Sequence, residues 1–330
     1  MDYETYNLGT IELQSGKSLE NAQIAYKTYG ILNNEKDNVI VYPTWYSGFI
    51  SDNEWLIGEG MALDPNKYFI IIICLFGNGQ SSSPSNHPNF SPTTLYDNVV
   101  QQHRLVTEVF EIKKIKLVVG WSMGAQQSYQ WACLYPDMVE RVAPFAGSAK
   151  TAPHNFVFLE GIKAALTTDP KCINFDVNKE RPEHGIRSFA RVYAGWGFSQ
   201  PFYKQELWRK LGFNNLEDFL TGFWETFFLK RDHRNLLAHI WTWQHGDISA
   251  NPIFDGDFEK ALGAIKAKTL LLCPEIDLYF PPDDNKEEMK YLHNGQMIII
   301  PGVWGHFAGG GINKKDTDFI DKQLKYLLEL

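Results

Sequence analysis

The apolar run Leu117-Val118-Val119 leads directly into Gly120-Trp121-Ser122-Met123-Gly124, and Gln126 to Ala132 then read as a helix. A chain that passes from strand to helix within so few residues must turn sharply. The residue at the turn is held in a strained backbone conformation, and its side chain stands clear of the sheet edge. Gly120 and Gly124 are small where strand and helix pass close together. The helix N-terminus faces the serine, where developing negative charge is stabilised. Ser122 is therefore the candidate nucleophile. The same spacing also describes an ordinary strand-to-helix turn with a surface serine, so the rest of the chain must supply a base and an acid.

The flanking segments predict the frame around that turn. Residues 3–13 and 22–29 alternate apolar and polar about Ser15-Gly16-Lys17-Ser18, as an antiparallel hairpin at a sheet edge does. Residues 38–42 and 68–74 are continuous β-branched or apolar runs, the mark of strands covered on both faces. Residues 75–92 form a Gly-, Ser-, Asn- and Pro-rich loop, and 93–111 carry apolar residues at helical spacing. Further strands are predicted at 115–119, 142–146, 269–273 and 296–300, with Pro144 giving the third strand from last an irregular end, and a terminal helix at 316–330. Strands alternating with helices give an α/β chain with a mostly parallel sheet flanked by helices. Between 160 and 255 the strand signal disappears and aromatic-faced helices replace it at 186–196, 203–211, 215–229 and 233–245. The expected organisation is a core of residues 1–160 and 256–330 with a helical lid at 161–255 over the strand C-termini, where open α/β sheets bind ligands. Fourteen per cent of the chain is aromatic and ten residues are Trp, many of them between 189 and 243. They predict an aromatic-walled pocket or, equally, a helical core.

The strand, serine turn and helix set in such a sheet resemble the nucleophile elbow of the α/β-hydrolases. That resemblance implies the chain order serine, acid, histidine. The acid belongs in the loop after 269–273, which reads Pro274-Glu275-Ile276-Asp277-Leu278-Tyr279-Phe280-Pro281-Pro282. Asp277 is the first choice and Glu275 its competitor; Asp283 and Asp284 lie beyond two prolines and read as a solvated helix start. Of nine histidines, His306 follows the last strand and is the candidate base. An oxyanion hole needs two convergent N–H groups. Met123 supplies one and the loop after 38–42 the other, with Trp45 first and Thr44 second. The pocket residues expected are Trp196, Phe198, Trp241 and Phe307.

Within that fold the chain resembles the homoserine O-acetyltransferases. Gly120-Trp121-Ser122-Met123-Gly124 with Gln127, Trp131-Ala132 and Tyr135-Pro136, then Ala146-Gly147-Ser148-Ala149, Asp169-Pro170, Asp277 to Pro282 and Gly305-His306 carry the likeness, which runs from about residue 5 to 325. It implies a triad of Ser122, Asp277 and His306 and an acyl-enzyme on Ser122. The departures concern the acceptor. The family's aspartate after the histidine is Phe307 here, and its lid arginine position is Gln200. A zwitterionic acceptor needs paired charges. Their loss favours an ester or thioester hydrolase over acyl transfer from acetyl-CoA, which would enter as co-substrate of a transferase alone. A silent binding protein on the same fold is the third possibility, and a complete triad weighs against it.

Composition narrows the partners. A net charge of −8 argues against nucleic acid and anionic membrane surfaces, and no apolar run approaches the roughly 18 residues of a membrane span. The expected partner is a small-molecule acyl substrate, with a homodimer left open. Cys74, Cys133, Cys172 and Cys273 lack metal or redox spacing, and the N-terminus lacks a signal pattern, so a cytoplasmic protein with reduced thiols is expected. His233, His239 and His245 are spaced six apart and do not share a helix face, so no metal is expected there, and no other cofactor. Gly77-Asn78-Gly79 lacks the Lys-Ser/Thr of a phosphate loop.

Overall fold

Val39–Pro43 and Phe69–Ile73 are buried at every position, as parallel strands covered on both faces must be. In the chain's structure, a computed structural model that describes residues 2–173 and 181–330, they are β3 and β4 of an eight-stranded sheet. The remaining strands are β1 (Glu4–Glu12), β2 (Ser18–Tyr29), β5 (Leu117–Trp121), β6 (Arg141–Phe145), β7 (Lys268–Pro274) and β8 (Gly295–Ile300). Their order is β1-β2-β4-β3-β5-β6-β7-β8. The N-terminal hairpin joins antiparallel through β2 and β4, and every other pairing is parallel. Pro144 lies opposite Gly120, and the β6–β7 ladder has no partners between Val142 and Phe145. A proline has no N–H to give that ladder, so the irregularity falls inside β6, which pairs again in register at Phe145, and not at its end as expected.

Alternation along the strands divides the sheet into two cores. Val39, Val41, Ile71, Ile73 and Val118 face the helices α1 (Leu95–Arg104) and α2 (Met123–Leu134). Ile40, Tyr42, Ile70, Ile72 and Val119 face the other way, toward Ile320 and Leu324 of the terminal helix Lys314–Glu329 and toward the inserted helices.

The insertion contains α3 (Pro153–Thr167), α4 (Glu183–Gly197), short helical turns between Gln200 and Leu229, and α5 (His233–Gln244). The expected boundary at 160/161 falls inside α3, whose first turn begins at Pro153; residues 174–180 of the expected lid lie outside the described residues. The two ends of the insertion lie side by side. Lys150 and Asp247 form an antiparallel bridge, Thr151 N–H donates to Gly246 O at 2.8 Å, and Ile248 N–H to Ala149 O at 3.1 Å.

One fully buried carboxylate ties the acid loop to the rest of the core. Glu288 ends α6 (Pro282–Glu288), the helix that follows Asp277. It accepts hydrogen bonds from Tyr129 Oη of α2 at 2.6 Å, Ala149 N–H at 2.6 Å and Asn285 Nδ2 at 2.9 Å. Burial pushes its carboxyl from 4.5 up to about 7, against those hydrogen bonds, which favour the anion. The folded state therefore holds this proton more tightly than the unfolded chain. Its contribution to stability is complete below the unfolded value and is lost as the pH rises to about 7. At about 1.36 kcal/mol per unit, the ceiling is ~3 kcal/mol. Glu288→Gln cannot titrate. Denaturant unfolding of both proteins between about pH 5 and 8 should show the wild type losing stability relative to the variant, and parallel pH profiles would show that the buried carboxyl is ionised throughout this range, as it is in the unfolded chain.

Candidate active site

Ser122 sits between β5 and α2 with φ 59° and ψ −122°, a conformation that costs a non-glycine residue on the order of 1–3 kcal/mol. The turn is possible because its neighbours lack side chains. A Cβ on Gly120 would lie 2.2 Å from Gly124 O, and one on Gly124 2.7 Å from Pro43 O. Ser122 N–H donates to Phe145 O at 3.1 Å, while its carbonyl accepts from Ala125 N–H at 2.9 Å and Gln126 N–H at 3.2 Å. The strained residue is thus held from the sheet and from the helix together.

His306 occupies a short 3₁₀ turn after β8, and Asp277 the loop after β7. His306 Nδ1 is 2.8 Å from Asp277 Oδ2, and both side chains are buried. Asp277 Oδ1 accepts the N–H groups of Tyr279 at 2.8 Å and Phe280 at 3.1 Å. The carboxylate accepts from three donors, which satisfies a buried charge and leaves Nδ1–H of His306 directed at it. The imidazole is also fixed by its neighbours, with Trp121 stacked at 5.0 Å and Tyr279 edge-on at 4.8 Å. Glu275, the competing acid, is exposed and accepts Gly302 N–H at 3.2 Å. Asp284 is half-buried, and burial and the charge of Asp283 raise its carboxyl.

Ser122 and His306 line one cavity of about 200 Å³. Its walls are aromatic: Trp45, Trp121, Tyr193, Trp224, Phe227 and Phe307. Asp52 is the one carboxylate among the lining residues, and Phe49 N–H at 2.8 Å and Arg231 Nη2 at 2.5 Å already engage it. The backbone N–H groups of Met123 and Trp45 have no protein acceptor among the described residues. The Thr44 N–H, second candidate for the oxyanion hole, donates to Ile73 O at 2.9 Å and is used by the sheet. Gln127 Nε2 donates to Thr44 O at 2.8 Å. In a trans peptide the Trp45 N–H then points away from Gln127.

The pocket residues need correction. Phe307 lines the cavity. Phe198 lies behind it, stacked on its ring at 4.6 Å. Trp196 packs against His154 at 5.0 Å and Phe158 at 5.1 Å, and does not line the cavity. Trp241 stacks on His245 at 4.0 Å and borders a separate surface groove with Pro88 and Phe90. Trp224, Phe227 and Tyr193 take their place. The sequence signal for them is the same aromatic helical spacing, which does not say how each helix is rotated. Among the described residues, no group of three or more His, Cys, Asp or Glu side chains could hold a metal ion, and no helix is long and apolar enough to cross a membrane.

Residues 39–309 match the sequence model of the alpha/beta hydrolase fold. The chain belongs to that family. Two relatives are each 39% identical to this hydrolase. One is a probable esterase of Corynebacterium glutamicum, matched over 99% of this chain and 96% of its own length. The other is an ethyl acetate hydrolase of Pseudomonas veronii, matched over 99% and 95%. The solved structure of an acetylester hydrolase from C. glutamicum superposes with a TM-score of 0.95 at 38% identity, over 99% of this chain and 96% of that one. A homoserine O-acetyltransferase of Trichormus variabilis is 27% identical over 92% of this chain and 89% of its own, in keeping with the resemblance read from the elbow, acid and base segments. The hydrolase is an enzyme of the esterase type.

Two expectations follow from the geometry. Asp277→Asn should lower kcat by about 10⁴, by presenting the imidazole in the wrong tautomer, while Glu275→Gln stays within a few-fold of wild type; the reverse ranking in ester hydrolysis would move the acid to Glu275. Trp224→Leu should change relative kcat/KM across esters of increasing acyl length, whereas Trp241→Leu leaves the ranking as it is. A shift with Trp241 alone would contradict the cavity described above.

Proposed function

We propose that this hydrolase cleaves short-chain carboxylic esters, acetate esters of small alcohols above all, with Ser122, His306 and Asp277 as its triad. The observation that carries the reading is the buried His306–Asp277 pair at 2.8 Å, set beside Ser122 in a small aromatic cavity. The names of the 39%-identical relatives support the substrate class. Ser122 Oγ attacks the ester carbonyl and its proton passes to His306 Nε2. Asp277 accepts the Nδ1–H bond and stabilises the imidazolium. The N–H groups of Met123 and Trp45 receive the oxyanion. Collapse expels the alcohol with the proton from His306. Water, deprotonated by the same nitrogen, then releases the acid and restores Ser122. The reaction uses side chains and amides of this chain, with no cofactor invoked.

Apolar walls favour a neutral ester over a charged acceptor. Homoserine would bring its ammonium group against Phe307. Arg187 and Arg191 offer no replacement, since both pair with Glu225 at 2.6 Å, and Gln200 is exposed. Charge-assisted hydrogen bonds are worth roughly 1.5–3 kcal/mol each, so the loss of two corresponds to about two to four orders of magnitude. The partner proposed is a small acyl substrate, and a homodimer is the assembly to examine by light scattering. A cytoplasmic location is supported by four unpaired, buried cysteines, since a reducing compartment keeps thiols in that state.

Ester hydrolysis and homoserine-dependent thiol release from acetyl-CoA, measured side by side, test the assignment. The expected result is rapid release of acetate from short esters and negligible transfer, with Ser122→Ala losing about 10⁴ or more in kcat and no longer labelled by an organophosphonate. Transfer to homoserine with kcat/KM above about 10⁴ M⁻¹s⁻¹ would replace hydrolysis by acetyl transfer.

A further inference from the structure

The turn that presents Trp45 N–H is not supported by the sheet alone. Gly48 N–H donates to Trp45 O at 2.9 Å, closing a four-residue turn in which Ser47 has φ 57°. A serine at that φ needs to be held, because the left-handed region favours glycine. Ser47 N–H donates at 2.9 Å to Nδ1 of His239, a residue of the inserted helix α5. The other nitrogen of that ring is 3.0 Å from Phe76 O, in the loop after β4. An imidazole that accepts at Nδ1 must carry its proton at Nε2, so both contacts are satisfied by one neutral tautomer. Burial lowers the His239 pKa to about 4, and Nδ1 keeps its acceptor lone pair at neutral pH. The ring is fully enclosed; a Cβ at Gly77 would lie 3.0 Å from its Cδ2. The same helix holds the turn at a second point, where Tyr46 Oη donates to Leu236 O at 3.1 Å.

We propose that His239 is a positioning residue for catalysis: as a neutral imidazole in the lid helix, it fixes the Trp45–Gly48 turn and so sets the aim of the Trp45 amide at the oxyanion. The inference rests on Trp45 as an oxyanion donor. It gives the lid a role in the chemical step, in addition to walling the cavity. A histidine serves because one rigid ring spans two backbone groups of opposite polarity, the Ser47 N–H and the Phe76 carbonyl. Leucine fills similar space and meets neither. Glutamine offers an acceptor and a donor at its tip.

The test compares His239→Leu and His239→Gln with wild type, using active-site titration so that rates refer to folded, labelled enzyme. Loss of a whole oxyanion donor costs about 10²–10³ in kcat, and a misaimed one should cost about tenfold to a hundredfold. The expectation for His239→Leu is that fall in kcat with KM for a short ester within about twofold, and an equal fall in affinity for a boronic acid that mimics the tetrahedral species. His239→Gln should recover most of both. A purely structural role would lower the melting temperature and the titratable fraction but leave kcat per titrated site unchanged, and that result would overturn the proposal. Gln127→Leu separates the proposal from the assignment beneath it, because it releases Thr44 O on the other side of the same peptide. If kcat falls in Gln127→Leu but not in His239→Leu, Trp45 remains the donor and His239 has no part. If neither variant changes kcat or boronic acid affinity, the Trp45 assignment fails, and the proposal fails with it.

Discussion

A serine does not remain at φ 59° unless the strand before it and the helix after it are both immobile. Much of the chain contributes to that constraint. β5 lies in the interior of the sheet, between β3 and β6. Helix α2 is buried at eleven of its positions, including four polar side chains that an exposed helix would turn to water. Gln127 and Gln102 are joined at 2.7 Å, and Trp131 Nε1 donates to Gln102 at 2.8 Å. The chain of bonds from Trp131 through Gln102 and Gln127 ends on Thr44 O, the carbonyl of the peptide whose N–H belongs to Trp45. The serine turn and the Thr44–Trp45 peptide are therefore registered against each other by one buried polar network. Such a network specifies a unique arrangement only when its members are satisfied.

The acid and base loops follow a different logic. They lie after β7 and β8, toward one edge of the sheet, and they meet because parallel strands deliver their C-terminal loops to the same side. Asp277, and not Glu275, is the carboxylate of that loop that meets His306. The loop folds back so that Asp277 caps the amides of Tyr279 and Phe280 with one oxygen and faces His306 with the other. Glu275, two residues earlier, points outward.

What was legible in the sequence was what is encoded locally. The apolar runs at 38–42 and 68–74, the glycine-spaced serine and the loops after the last strands each lie within a few consecutive residues, and the two runs form β3 and β4 to within one residue at each end. The pocket was not legible in this way. Trp196 and Trp224 both belong to aromatic helical stretches of the insertion, but one turns toward α3 and the other toward Phe307 at 5.4 Å. Periodicity gives the existence of an apolar face; the direction in which it points depends on packing between helices far apart in sequence. Thr44 and Trp45 are adjacent, and only the pairing of the first with Ile73 O separates them as amide donors. The six-residue spacing of His233, His239 and His245 carries no information about a ring bonded to backbone groups in two other segments. Charges in the lid were equally opaque. Arg231 lies over the rings of Phe49 at 3.9 Å and Phe227 at 4.5 Å while bonded to Asp52.

The pairing of residues 149–151 with 246–248 has a consequence for how such a chain can change over time. Because the inserted helices leave and return at one stitched point, the polymer between those positions is a closed loop hung on the sheet. The entropy of closing such a loop grows only with the logarithm of its length, about 0.6 kcal/mol for each doubling. Loop closure therefore sets little penalty on changes in the length of the insert, and the stitched ends keep such changes away from the strand register outside it. The restraint lies in what the present helices cover: whatever replaces them must still bury that face of the sheet and meet the Ser47 N–H and the Tyr46 hydroxyl. A lineage of enzymes built on this plan can rewrite its substrate vocabulary quickly, provided that those two words are kept.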